Sequence, residues 1–201
     1  MIETWPASFR PKSIDVHPVT LTQAGPRTLS GRQQRAAPDA GHWGLVAEFQ
    51  VFTMDQLLDW RAMVAFLDGG LNSVRMGVFD ERQAPTTGAP LDIALGADLA
   101  LRATTARFAV AAAGTLKRGM YFSIRNRLSL ITRPPEDLGG GLFDVTFWPP
   151  ARAARSSGEP VEMANPRGTW RLADPKTGRL KLEGNYHGEP SLELEESFEG
   201  L

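Results

Sequence analysis

The chain has no cysteine among its 201 residues. That absence excludes a disulfide framework, a thiol nucleophile and every thiolate metal site. A charge of one sign is also missing: 22 Lys and Arg stand against 23 Asp and Glu, a formal net charge of −1. Dedicated nucleic-acid binders usually carry a clear basic excess, so the balance argues against that class. No apolar run approaches the ~20 residues of a membrane span. The start, MIETWPASFRPK, lacks the charged-then-apolar pattern of a signal peptide, so neither a membrane segment nor a secretion leader is expected. Histidine is scarce, with only His17, His42 and His187, far apart and in no HExxH or His-x-His pair.

The remaining composition is that of an ordinary globular protein, with 42% hydrophobic and 22% charged residues. The length suffices for one good core or two small ones. Charge is unevenly placed. Up to residue 35 there are five basic side chains (Arg10, Lys12, Arg27, Arg32, Arg35) against Glu3 and Asp15. After Lys181 there is no Lys or Arg, while Glu183, Glu189, Glu193, Glu195, Glu196 and Glu199 accumulate. Two solvated termini would explain this. So would complementary surfaces on identical copies that pack side by side.

Dispersed glycine (20) and proline (15) favour many short strands over long helices. One segment differs. In TMDQLLDWRAMVAFLDGG, Thr53 and Gln56 have the spacing of a capping box. Leu57, Trp60, Val64 and Leu67 recur at helical spacing, with Met63 and Phe66 widening the stripe. Asp55 and Asp59 suit the positive end of the helix dipole, and Gly69–Gly70 supply a C-cap. The spacing predicts an amphipathic helix over 54–68 whose apolar face lies on a sheet.

SIDVHPVT, WGLVAEFQVF and NSVRMGVFD read as strands, the second by alternation of Leu45, Ala47, Phe49 and Val51 with Val46, Glu48 and Gln50. MYFSI-RN-RLSLIT reads as a hairpin turning at Arg125–Asn126, because Asn tolerates positive φ. In LFDVTFW, Phe143, Val145 and Phe147 share a face before Pro149–Pro150. PVEMA, TWRLA and RLKLEG read as short strands separated by the turns NPRG and DPKTG. The Ala/Gly-rich stretch from about 85 to 118 reads as an insertion or arm, with a strand at 107–112. The expected fold class is therefore β-rich α+β: an antiparallel β-sandwich or barrel-like domain with one covering helix. It would form one domain over 1–201, or else a helix-bearing unit at 1–84 and a second β unit at 119–201.

Catalytic signatures are sparse. Asp15 and His17 share a strand face, but a metal site needs at least one more ligand. GTLKRG has glycines five apart, yet Met120 stands where a phosphate-binding loop needs Lys, so it reads as a turn. There is no G-x-S-x-G elbow and no dinucleotide fingerprint. No catalytic residue, cofactor or metal is expected. Trp43, Trp148 and Trp170 could stack on a sugar ring if exposed, although tryptophan is mostly buried.

The stretch RTLSGRQQR holds Arg27, Arg32 and Arg35. Phosphate binding is one use for them, but no aromatic lies within the stretch for stacking, and the 54–68 helix lacks the basic face of a recognition helix. The alternative is a turn at Ser30–Gly31 whose arginines pair with carboxylates of this or another chain, Glu193, Glu195 and Glu196 being the candidates. Arginine's rigid fork suits such interface pairs.

FRP near the start, TLSGRQQR followed by GHW, then the helix with its Gly pair, resemble the N-terminal part of distal tail and minor tail-tip proteins of long-tailed bacteriophages and gene transfer agents. RGMYFSIRNRLSLIT, VTFWPPARAA and NPRGTWRLA resemble blocks of the same proteins. Arg27 and the Ala-rich insert have no counterpart in that pattern. The resemblance implies a non-enzymatic virion protein that forms a hexameric ring in the tail and is assembled in the host bacterial cytoplasm. Its partners would be further copies of itself, the tail tube protein and the tail-tip hub. DNA would pass through the lumen without sequence-specific reading, and no membrane would be involved.

Overall fold

In the computed structural model, residues 1–6, 9–20, 23–27, 33–36, 41–78, 92–110, 116–182 and 188–199 are described. The first large sheet combines both ends of the chain. It contains β1 (Ile2–Thr4), β6 (Ser73–Gly77), β13 (Arg167–Leu172), β14 (Ser191–Glu196), β5 (His42–Glu48) and β2 (Ser13–Val19), in that spatial order. All neighbours are antiparallel except β1 and β6, which run parallel at one edge.

The second sheet has the order β7 (Ile93–Leu95), β8 (Thr105–Val110), β12 (Leu142–Trp148), β10 (Arg127–Ile131) and β9 (Tyr121–Ile124), with β11 (Glu136–Gly139) pairing onto β12. It curls until its edges are joined by one segment. Val161 N–H donates to Ile93 O of β7 at 2.8 Å, and Glu162 N–H donates to Ser123 O of β9 at 2.9 Å. The result is a small closed barrel, which leaves few strand edges exposed. Its interior is filled by side chains that include Phe108, Phe122, Val145 and Phe147. Phe122 meets Phe108 and Phe147 edge-on, with ring centroids 5.1 and 5.6 Å apart. A third, two-stranded sheet, β3 (Gln23–Arg27) with β4 (Gln33–Ala36), pairs with neither.

The helix α1 spans Met54–Leu67. Thr53 Oγ1 accepts from Gln56 N–H at 3.3 Å, as the capping spacing predicts. The reciprocal bond goes one residue earlier than expected: Gln56 Oε1 accepts from Phe52 N–H at 2.9 Å. At the other end Asp68, not glycine, takes the left-handed C-cap conformation at φ 42, and Gly69 and Gly70 follow with positive φ. Leu57, Trp60, Met63 and Leu67 are buried, and Val64 packs against them. Trp60 joins Trp5, Phe9 and Phe49 in an aromatic cluster, and its indole N–H donates to Gly178 O at 3.2 Å. A buried polar N–H with a partner avoids the desolvation cost of an unsatisfied donor.

Several expectations are corrected. β13 and β14, beyond residue 119, belong to the same sheet as β1, β2, β5 and β6, which precede residue 84. Residues 92–110 supply β7 and β8, and with them the buried Ile93, Leu95, Leu99 and Phe108 of the barrel core. The barrel is inserted between β6 and β13 of the first sheet. The strand expected at 107–112 begins at Thr105 and ends at Val110, and residues 79–91 and 111–115 lie outside the described residues. Small side chains blurred the start of β8, because alternating Ala, Arg and Thr give little hydrophobic contrast. PVEMA contributes the barrel-closing bridges in place of an independent strand. RLKLEG forms no strand over 179–182, and 183–184 lie outside the described residues. Conversely β14, within what reads as an acidic tail, is an internal strand. Leu192 and Leu194 are buried while Ser191 and Glu193 face solvent.

Candidate functional site

The arginine-bearing stretch is the connection of the β3–β4 hairpin. Arg27 ends β3 and is exposed. Ser30, Gly31 and Arg32 lie outside the described residues. Arg35 sits in β4 opposite Ala24, and its side chain is likewise outside them. Gln33 Nε2 donates to Gly25 O at 3.0 Å, tying the two strands together.

The three glutamates have separate fates. Glu193 is exposed on the solvent face of the first sheet. Glu195 accepts from Arg171 Nε at 2.8 Å and lies 3.9 Å from His42 Nε2. Glu196 points inward and is 3% exposed. No ion pair among the described residues joins Arg27 to any of them. Glu196 is therefore withdrawn as a surface contact for a neighbour's arginine: at this register the strand turns its side chain into the protein.

Where Glu196 points, the first sheet meets the barrel. Its Oε2 accepts from Trp43 N–H at 3.3 Å, and its Oε1 is 4.0 Å from Arg127 Nη1. Arg127 opens β10. It donates through Nη1 to Ser197 O and through Nη2 to Glu199 O at 2.8 Å, strapping the residues after β14 onto the barrel. Ser73 Oγ lies 2.8 Å from Ser197 Oγ and 3.1 Å from Glu199 Oε2 in the same strap. Arg152 donates to Gly41 O and stacks over the Phe198 ring, 5.2 Å from its centroid. Arg155 Nε is 3.9 Å from Glu159 Oε2, while Arg125 holds Oε1 of the same carboxylate at 2.8 Å. Arg127, Ser129, Arg152, Arg155 and Glu196 line a cavity of about 30 Å3 whose other walls are apolar, among them Leu99, Phe122, Ile124 and Phe147.

Burial pushes the Glu196 carboxyl above its ordinary value, against the opposing pull of the Trp43 N–H, Arg127, Arg152 and His42. Burial also lowers the Arg127 guanidinium, and Arg155 and Arg152 lower it further, while Glu196 opposes them. Both directions have one cause, since a low-dielectric site disfavours either charge. Arginine remains protonated regardless. This cluster was not legible in the sequence because Arg127, Arg152 and Arg155 lie on separate segments of the barrel and Glu196 arrives from β14 of the first sheet. The period-2 pattern of SLELEE, which puts Glu196 on the leucine face, was the available signal.

The other candidates separate. Asp15 and His17 lie 3.8 Å apart, both largely exposed, and no group of three metal-ligating side chains occurs among the described residues. His187 lies outside them. Trp43 and Trp170 are fully buried, donating to Leu128 O and Met76 O at 3.0 Å each. They cannot stack on a sugar without unfolding. Trp148 is half-buried edge-on against Trp43, with centroids 4.6 Å apart. Lys117 and Gly119 form a turn before β9, with Met120 N–H donating to Lys117 O at 3.3 Å.

No protein-family model matches this chain, and no curated protein matches it.

Proposed function

We propose that the protein is a structural virion component, a distal tail ring subunit that joins the tail tube to the tail-tip hub. The observation that carries this reading is the β3–β4 hairpin. It pairs with neither large sheet, and the arginine-rich sequence runs from its first strand to its second. The exposed Arg27 suits a contact with another copy, and Glu193 is an exposed carboxylate available to it. The start of the helix adds support: Phe52, before the N-cap, and Met54 and Leu58 of α1 are 56%, 43% and 53% exposed. Large apolar side chains exposed together at one place suit a surface that a partner covers. A heterologous contact of this kind, repeated, closes into a ring when the rotation divides evenly.

The tube protein and the hub protein are the expected neighbours, and passing DNA is the expected content of the lumen. Light scattering on the purified chain and electron microscopy of purified tails test the reading. The expected result is a closed ring at the distal end of the tube; a monomer that never associates with tails would sink it. A ring at the head-proximal end would reassign the protein to a terminator or connector position. Charge reversal at Arg27 or Arg32 should impair ring assembly more than subunit folding, and normal rings from both variants would refute the arginine contact.

A further inference from the structure

The first sheet ends at β2. One side of that strand pairs with β5 over its whole length. On the other side no strand among the described residues pairs with it. Its inner face is also incompletely covered. Leu45 and Ala47 of β5 are fully buried, whereas Val16 and Ile14, their neighbours on β2, are only partly so. A groove of about 340 Å3 lies there. Its apolar side chains include Ile14, Val16, Val78 and Tyr121, and Lys12 and Ser13 also line it.

The direction of the backbone groups on β2 follows from its neighbours. Just beyond β5, Phe49 and Val51 donate their N–H groups to Pro190 O and Gly188 O, on the β14 side. Backbone direction alternates along a strand, so the even-numbered residues of β5 turn towards β2. Glu48 O accordingly accepts from Lys12 N–H at 2.7 Å. Asp15 is opposite Val46 and His17 opposite Gly44, so both turn their backbone to β5. Ile14, Val16 and Pro18 are left with outward backbone groups, of which Pro18 offers only a carbonyl.

We propose that β2 pairs antiparallel with β2 of a second copy across a two-fold axis at Val16, joining the two first sheets into one. In that register the two Val16 residues exchange both backbone hydrogen bonds, and each Ile14 N–H donates to the partner's Pro18 O. On the inner face Val16 meets the partner's Val16 and Ile14 meets the partner's Pro18, beside the groove. On the outer face the exposed Asp15 stands directly opposite the partner's His17, and the reverse. These are non-hydrogen-bonded pairs, in which side chains lie closest, so an imidazole N–H meets a carboxylate twice across the seam. Opposite charges facing each other stabilise a strand pair, and like charges destabilise it. The adjoining registers lack this match. An axis at Asp15 sets carboxylate against carboxylate, and an axis at His17 sets imidazole against imidazole. A two-fold contact needs one self-complementary surface, and the order Asp15–Val16–His17 supplies it. The proposal does not rest on ring formation, and the variants below leave Arg27 and Glu193 untouched.

Sedimentation equilibrium of the full chain over a concentration series tests it: the mass should rise from 21.9 kDa towards twice that value. His17→Asp sets carboxylates against each other at both pairs and should weaken association by about tenfold. Asp15→His should weaken it as well. The double variant Asp15→His/His17→Asp restores both pairs and should recover the parent's affinity. Because the chain has no cysteine, one introduced thiol reports the register. Val16→Cys should give a disulfide-linked dimer on mild oxidation, since opposed residues of a hydrogen-bonded pair have Cα atoms about 5.5 Å apart, within reach of a disulfide. Ile14→Cys should not, because its two copies would lie roughly 13 Å apart along the strands. If Val16→Cys fails to fold, the charge exchange decides alone. A monomer at every concentration would overturn the proposal. So would a double variant that associates no better than His17→Asp, or equal crosslinking at both positions.

Discussion

Glu196 and Trp43 face each other across adjacent strands, the carboxylate Oε2 accepting the backbone N–H at 3.3 Å. That contact fixes a buried acid at the seam between an open sheet and a closed barrel, and it makes stability depend on pH in a definite direction. The folded-state value of Glu196 is raised above the ordinary 4.5, first by burial. The native state therefore holds more protons than the unfolded state between the ordinary and the raised value, and stability falls as pH rises through that window. The parent chain should gain stability relative to Glu196→Gln on acidification from neutral towards the ordinary carboxyl value. Each pKa unit of displacement corresponds to about 1.4 kcal/mol. Denaturant melts of both proteins across that range check it; a constant difference would show that Glu196 does not titrate there.

Trp60→Ala should lower the unfolding free energy by about 3–5 kcal/mol. The ring is 1% exposed, touches three other aromatics and donates its N–H to Gly178 O. Chemical denaturation of the soluble subunit measures the loss. A near-neutral effect would contradict the packing of α1 on its sheet.

At the end of α1, Asp68 holds a left-handed conformation that glycine adopts without penalty, and its carboxylate sits at the negative end of the helix dipole. Asp68→Gly should therefore stabilise by about 0.5–1 kcal/mol, readable as a higher Tm. No change would mean that the cap is relaxed by other contacts.

Two glycines on the first sheet should differ in their tolerance of a methyl group. A methyl group at Gly168 would come within 2.5 Å of the Trp170 ring, which is fully buried and cannot move aside. Gly168→Ala should cost about 1–3 kcal/mol through overpacking. At Gly44 the obstacle is the half-exposed His17 ring, also 2.5 Å away. That ring can rotate into solvent, so Gly44→Ala should cost clearly less. Equal losses for the pair would remove the distinction.

Legibility in the sequence followed contrast. The helix was visible because bulky apolar residues recur at its period next to a polar cap and a glycine pair. The β9–β10 hairpin was visible because Arg125–Asn126 is a turn pair, and both residues do adopt positive φ, 49 and 61. β8 was legible from residue 107, whereas β7, only three residues long, was not. β14 was hidden by its charge: glutamates on the solvent face of an internal strand read like a solvated tail, although the intervening leucines keep the period of a strand. Pairing across long sequence separation was not legible. No local pattern indicates that Arg127, Arg152, Arg155 and Glu196 share a cavity, because β14 reaches the barrel only through the register of the first sheet.

That register has a consequence for synthesis. β14 lies between β13 and β5, so the first sheet stays split until β14 has left the ribosome. The barrel between its halves closes only after residue 162 has emerged. N-terminal strands made early must wait for a C-terminal partner, a high-contact-order arrangement that folds slowly and exposes unpaired edges meanwhile. A nonsense mutation near codon 190 would thus do more than trim a tail: it would leave β5 and β13 without the strand that joins them.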